Sequence, residues 1–284
     1  MSAYFGPGGN SESFYSEGHK HTFEAPAWLK EKGLNAYEYQ AGNGIMGSDE
    51  TFLKIGQAAK ENSIKMSLHA PYFISLSGVE TEKRLKSIDY IRKSLHVAKL
   101  IGASTIVIHA GSAAKISREE AMRLASDTLY KAAEEFDGET IHLGIETMGK
   151  INQLGTLEEV IELCKVSSLY YPVVDFGHLN SRNIGGFYKT EDDYKRTFDL
   201  IGDRLGDDYA KYLHCHFSKI EFTGSGEKKH MRFCDNGFEP PYEPLCSYIA
   251  KAKLEPTIIC ESAGTMADDA LLMKKYYSES CKTV

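Results

Sequence analysis

The sequence predicts an α/β fold, a single (β/α)8 TIM barrel. Three observations predict it. Short apolar runs rich in β-branched and aromatic residues alternate with longer amphipathic ones. Eight such pairs fit into 284 residues, which suits a closed barrel better than an open sheet. No linker or low-complexity tract interrupts them, so one domain spanning residues 1–284 is expected.

The first strand is the weakest, near residues 3–6, and the others fall at 34–40, 64–69, 105–109, 140–146, 171–175, 211–216 and 256–261. Helices are expected between them. Residues 25–32 and 50–62 form the first two, with Gly33 placed as a C-cap. Residues 83–101 carry Leu85, Ile88, Ile91, Leu95, Ala98 and Ile101 near helical spacing, and Gly102 closes that helix. Ser117 with Glu120 opens a helix running to about Phe136, and Thr156 with Glu159 repeats the signature before 160–166. The last three lie at 191–204, 244–252 and 267–277. The Gly-rich stretches at 42–47, 185–186 and 224–226 read as loops, and the long segment after the seventh strand reads as one too.

Composition excludes several classes. With 42% hydrophobic and 26% charged residues the chain is neither disordered nor a disulfide-stapled miniprotein. No apolar run reaches the ~20 residues of a membrane span, and the first residues lack the basic head and apolar core of a signal peptide. The six cysteines form no CxxC pair, as expected of reduced thiols in a cytoplasmic monomer. The net charge of −7 weighs against a broad basic nucleic-acid surface, but bound divalent cations would reverse the charge locally.

Chemistry collects at the strand ends. Six strands finish on a metal-capable residue: His69, His109, Glu146, Asp175, His216 and Glu261. In a barrel those ends converge at one mouth. A lone histidine there is usually a satisfied core residue, but three carboxylates in one cleft repel without cations. Three histidines and three carboxylates make a ligand set for Zn²⁺, with Mn²⁺ or Fe²⁺ as substitutes. His178, three residues past Asp175, and His230, on the segment after the seventh strand, extend the set. His214 shares a strand face with His216 and rivals it as the ligand.

In that order and spacing these residues resemble the endonuclease IV family of apurinic/apyrimidinic endonucleases, over roughly residues 3–275. The resemblance implies a barrel with three zinc ions that cleaves double-stranded DNA 5′ to an abasic site. Carried over by position, His69, His109 and Glu146 would hold the first ion. Glu146, Asp175, His216 and Glu261 would hold the second, and His178 with His230 the third. Tyr72 and Phe73 match the place where the family wedges side chains into the duplex. Such a cluster activates water for attack on phosphorus, with Glu146 and Glu261 as the catalytic carboxylates and Glu261 orienting the nucleophile. Arg182, Lys219, Lys228 and Lys229 are candidate phosphate contacts.

The family places an Asp two residues before the last histidine, where this chain has Lys228 with Glu227 beside it. Either Glu227 replaces that carboxylate, with Glu221 the next candidate, or the site holds two tight ions. The family's DNA-contacting Arg after the second strand has no counterpart in residues 39–43. Two other readings stand beside the nuclease. One is a xylose-isomerase-like sugar isomerase or epimerase, holding one ion on Glu146, Asp175, His216 and Glu261. The other is a barrel that binds without turnover. The extra histidines separate the nuclease from the sugar enzyme.

Overall fold

Eight parallel strands pair side by side in the computed structural model, which describes residues 3–283; Met1, Ser2 and Val284 lie outside it. The strands are β1 (Tyr4–Pro7), β2 (Ala36–Gln40), β3 (Lys65–His69), β4 (Ala103–His109), β5 (His142–Glu146), β6 (Tyr170–Asp175), β7 (His214–Phe217) and, after a hairpin of β8 (Lys219–Thr223) and β9 (Gly226–Met231), β10 (Thr257–Cys260). The sheet runs β1-β10-β7-β6-β5-β4-β3-β2. Its two edges meet: Asn35 N–H donates to Phe5 O at 3.1 Å and Gly9 N–H to Glu38 O at 2.9 Å, which closes the barrel. No helix among the described residues is long and apolar enough to cross a membrane.

Local signals carry the helices. Ala25–Lys32 starts with Pro in its first turn and ends at Gly33 with φ 82°, and Thr81–Ile101 ends at Gly102 with φ 71°. The Ser117 hydroxyl accepts from Glu120 N–H, and Thr156 with Glu159 forms a full capping box. The helices cover the sheet from outside, and residues such as Ile91, Leu129, Val160, Phe198 and Met273 are buried against the strands.

Four segments depart from expectation. Residues 207–211 form a short helix with acidic residues in its first turn, so β7 begins only at His214. β5 begins at His142 because the N–H groups of Thr140 and Ile141 donate to the Glu139 carboxylate in a turn. The segment after β7 is an antiparallel hairpin rather than a loop. Phe176–Arg182 forms a further helix directly after β6, with Asp175 as its N-cap.

Candidate metal centre

Every second strand residue points into the lumen, so register decides which side chains share a layer. Gln40 pairs with His69, His109 with Glu146, and Asp175 with His216. Glu261 lies one residue past β10, but its N–H still donates to Phe217 O at 3.0 Å. One layer at the C-terminal mouth therefore collects the strand-end residues. The layer beneath it holds Glu38, Ser67 and His214.

The ligand atoms fall into three groups: His69, His109 and Glu146; Glu146, Asp175, His216 and Glu261; and His178, Glu227 and His230. Within each group they lie within 4.8 Å of one another. Glu146 belongs to two. Its Oε2 is 3.5 Å from His69 Nε2 and 3.4 Å from His109 Nε2, while its Oε1 is 3.1 Å from His216 Nδ1. In the third group Glu227 Oε2 is 3.4 Å from His178 Nε2, and its Oε1 is 3.8 Å from His230 Nε2. Two ligands ~2.1 Å from one ion at the tetrahedral angle sit about 3.4 Å apart, whereas a charged hydrogen bond closes to ~2.8 Å. Glu146 Oε2, Asp175 Oδ2 and His178 Nε2 are buried without a hydrogen-bond partner. Orphaned donor atoms of both kinds, facing each other at ligand spacing, fit a bound cation.

Neighbouring atoms set which imidazole nitrogen faces each group. His69 Nδ1 is 2.8 Å from Ala70 O, His178 Nδ1 3.0 Å from Thr147 O, and His230 Nδ1 2.9 Å from Ser218 Oγ. Each arrangement turns Nε2 toward the carboxylate of its own group, while His178 Nδ1 also lies 3.4 Å from Asp175 Oδ2. Asp175 divides its oxygens, with Oδ1 accepting from His178 N–H at 2.8 Å and Oδ2 facing the cluster.

Charge is shared inside the cluster. Burial works against a charged His69, but the adjacent Glu146 carboxylate outweighs it and pushes the imidazole up to about 9. Burial pulls His109 down to about 4. Burial, with Glu146 and Glu261 nearby, raises the Asp175 carboxyl. Despite its own burial, Glu146 is held well below the carboxylate range by His216, His178 and His69. Protons on these imidazoles do the balancing that a cation can do, so cation uptake would release protons.

The third group depends on an irregular hairpin. Glu221 pairs with Lys229 and Phe222 with Glu227, leaving Lys228 unmatched as a β-bulge. Side chains three apart on a regular strand face opposite ways. The extra residue lets Glu227 and His230 share one face. Lys228 turns aside, its Nζ 2.6 Å from Glu221 Oε1. Of the carboxylates considered for this group, Glu227 faces the two histidines and Glu221 does not. The hairpin docks on the loop after β5, where Glu227 N–H donates to Gly149 O at 3.1 Å. The contact needs two glycines: a Cβ on Gly226 would lie 2.2 Å from Gly149 O, and one on Gly149 2.6 Å from Glu227 Cβ.

The expected phosphate contacts all have defined surroundings. Arg182 donates to the carbonyls of Met148, Lys150, Ile151 and Gln153 at 2.8–3.1 Å, so it clamps the post-β5 loop. Lys219 Nζ donates to Phe233 O at 2.7 Å. Lys228 is paired as described, and Lys229 is exposed on the hairpin. Tertiary structure spends these cations, except Lys229, on local partners. Arg182→Ala should therefore cost about 3 kcal/mol of stability while leaving metal content and turnover per folded molecule unchanged. Denaturant unfolding beside metal analysis checks this, and a stable variant with weakened DNA binding would restore the first expectation.

Tyr72 lines the mouth cavity of about 360 Å³ together with His109, His230 and Glu261. It is 57% exposed, and its hydroxyl donates to Asn43 Oδ1 at 2.9 Å. Phe73 packs its ring on Tyr90, with centroids 4.6 Å apart. His216 reaches the ligand layer through Nδ1, whereas His214 lies a layer lower, its Nε2 2.9 Å from Glu38 Oε2.

Sequence reasoning missed three residues. Gln40 Nε2 lies 3.3 Å from Glu261 Oε1, Lys150 lines the cavity, and Glu38 is buried beneath it. Alternation along 36–40 was the available signal, since it places Glu38 and Gln40 on one face of a strand too apolar to need them.

Residues 26–276 match the family described as xylose isomerase-like TIM barrel. An uncharacterized protein of Methanocaldococcus jannaschii is 28% identical over 89% of this chain and 91% of its own length. A probable endonuclease 4 of Acholeplasma laidlawii is 29% identical over 69% of this chain and 72% of its own. Among solved structures, endonuclease IV from Thermus thermophilus superposes with a TM-score of 0.69 at 16% identity, covering 100% of this chain and 99% of that one. A 3-keto-D-glucoside 4-epimerase from E. coli superposes with a TM-score of 0.66 at 16% identity, covering 97% and 99%. At such identities the likeness is one of fold.

Proposed function

The chain belongs to the xylose isomerase-like TIM barrel family, and from that premise we propose that it is a metal-dependent phosphodiesterase of the endonuclease IV kind, hydrolysing double-stranded DNA 5′ to an abasic site. The observation that carries the proposal is the third ligand group, His178, Glu227 and His230, beside a Glu146 that serves the other two. A sugar isomerase or epimerase holding one ion on Glu146, Asp175, His216 and Glu261 has no use for it. The relatives named probable endonuclease 4 support the same reading.

Zinc suits the mixed imidazole and carboxylate groups, with Mn²⁺ or Fe²⁺ as substitutes. Bound there, cations activate water and stabilise charge on the phosphoryl oxygens. Glu146 joins two groups through its separate oxygens. Glu261, held by Gln40, orients the attacking oxygen toward phosphorus. Tyr72 enters the gap left by the missing base, and Phe73 supports it from Tyr90. A monomeric state and a cytoplasmic setting belong to the same proposal.

Lys150, exposed at the cavity, is a further phosphate contact. Lys150→Ala should weaken abasic-duplex binding several-fold and reduce the slope of log K against log salt by about 1. An unchanged slope would remove Lys150 from the interface.

The function is tested by metal analysis of purified protein followed by assay on an abasic duplex. Two or three ions per chain and a nick 5′ to the lesion are expected. One ion per chain with ketose epimerisation would replace the nuclease by the sugar enzyme. Two or three ions with binding but no cleavage would leave a non-enzymatic binder.

A further inference from the structure

Barrels of this type fill their interior layers with branched apolar side chains. In the layer beneath the ligands this one carries Glu38, fully buried in β2. Removing a carboxylate from water costs several kcal/mol, so a buried glutamate needs a return beyond packing. Its Oε2 accepts from Ser67 Oγ at 2.8 Å and lies 2.9 Å from His214 Nε2. Its Oε1 accepts from Gln40 Nε2 at 3.3 Å and lies 3.0 Å from His216 Nε2.

Glu38, His214 and His216 could be taken for a metal site of their own, since their ligand atoms lie within 4.8 Å of one another. Saturation argues against it. Both Glu38 oxygens already accept hydrogen bonds, unlike the orphaned Glu146 Oε2 and Asp175 Oδ2 above them. The informative neighbour is His216, whose two nitrogens face different layers. Nδ1 is 3.1 Å from Glu146 Oε1 and 3.4 Å from Glu261 Oε2. Nε2 is buried with no well-aligned hydrogen bond, and Glu38 Oε1 is the acceptor beside it. A neutral imidazole offers a lone pair on one nitrogen only when the other carries the proton.

We infer that Glu38 is a positioning residue for the second group: its carboxylate holds the proton of His216 on Nε2, keeps Nδ1 turned toward Glu146 and Glu261, and strengthens Nδ1 as a donor. Ser67, Gln40 and His214 fix Glu38 in turn. The inference rests on the mouth layer being a metal centre and is independent of the substrate.

Glu38→Gln removes the charge and keeps the shape. Zinc affinities of parent and variant are measured by chelator competition, with melting temperatures recorded for both. One ion should weaken by about 10- to 100-fold while the others stay within about threefold. The melting temperature of the chelated variant should hold or rise, because a buried charge is gone. A merely structural role would instead lower the melting temperature and leave the affinities alone or reduce them together. Glu38→Asp, which retracts the charge by one methylene, should weaken the same ion and decides the matter if the glutamine form does not fold. Unchanged affinities in the variant that folds overturn the role of Glu38 and leave the metal centre standing. A parent that takes up no zinc overturns the metal centre itself.

Discussion

Glu146→Gln is expected to release two ions and to lower cleavage of abasic duplex on the order of 10³-fold. Its Oε2 faces His69 and His109, and its Oε1 faces His216. Without the charge, the first group is left with two imidazoles, below the three protein ligands of a catalytic zinc site. The second group loses one of three carboxylates. The magnitude follows from chemistry: metal-ion catalysis supplies several kcal/mol of transition-state stabilisation, and each 1.36 kcal/mol is tenfold. The amide also adds an N–H₂ donor at a place where orphaned acceptors and imidazoles converge. Metal analysis with single-turnover cleavage measures both effects. A variant holding every ion, with turnover within tenfold of the parent, would remove the bridging carboxylate from the centre.

Glu227→Gln should release one ion only. That ion's affinity should fall by more than the ~100-fold typical of losing a supporting contact, because a ligand itself is lost. Lys228→Asp should leave all affinities unchanged. The side chain at 228 turns away toward Glu221, so an aspartate there cannot reach His178 or His230. The bulge makes a sharper test available. Deleting Lys228 brings the carboxylate and His230 to a spacing of two, which places both on one face of a regular strand. The deletion should therefore retain the ion that Glu227→Gln releases. Zinc titration of the three variants checks the set. Tighter third-ion binding in Lys228→Asp, with loss in the deletion, would show that the hairpin pairs in another register.

The barrel was legible because its signals are local and repeated. Ala25–Lys32 follows from a proline at its start and Gly33 at its end, and the helix of Arg118–Glu135 from Ser117. His69, His109, Glu146, Asp175 and His216 could be grouped from sequence because parallel strands deliver their last residues to one rim. The hairpin was not legible. Its strands are mostly polar and join no ladder of the barrel sheet, so no apolar alternation announces them. Glu227 was open for the same reason, since its facing depends on a bulge. The partners of Arg182 and Lys219 were not legible, because folding sets which carbonyls a cation meets, here Gln153 O and Phe233 O. Glu38 meets His214 across the lumen from 176 residues away, a distance no spacing rule spans.

The β8–β9 hairpin forms a sheet of its own beside the eight barrel strands. It supplies Glu227 and His230, while every ligand of the other two groups comes from a barrel strand or the residue after one. The centre is thus built in two parts that answer differently to mutation. Substitutions at the strand ends disturb residues on which the barrel's own packing depends. Insertions and deletions in the hairpin act outside the barrel ladder, on a segment anchored by buried Ile220 and by the passage of Gly226 over Gly149. On the proposed reading, editing the hairpin alone would add or remove the ion of the third group while the barrel strands keep every ligand of the other two.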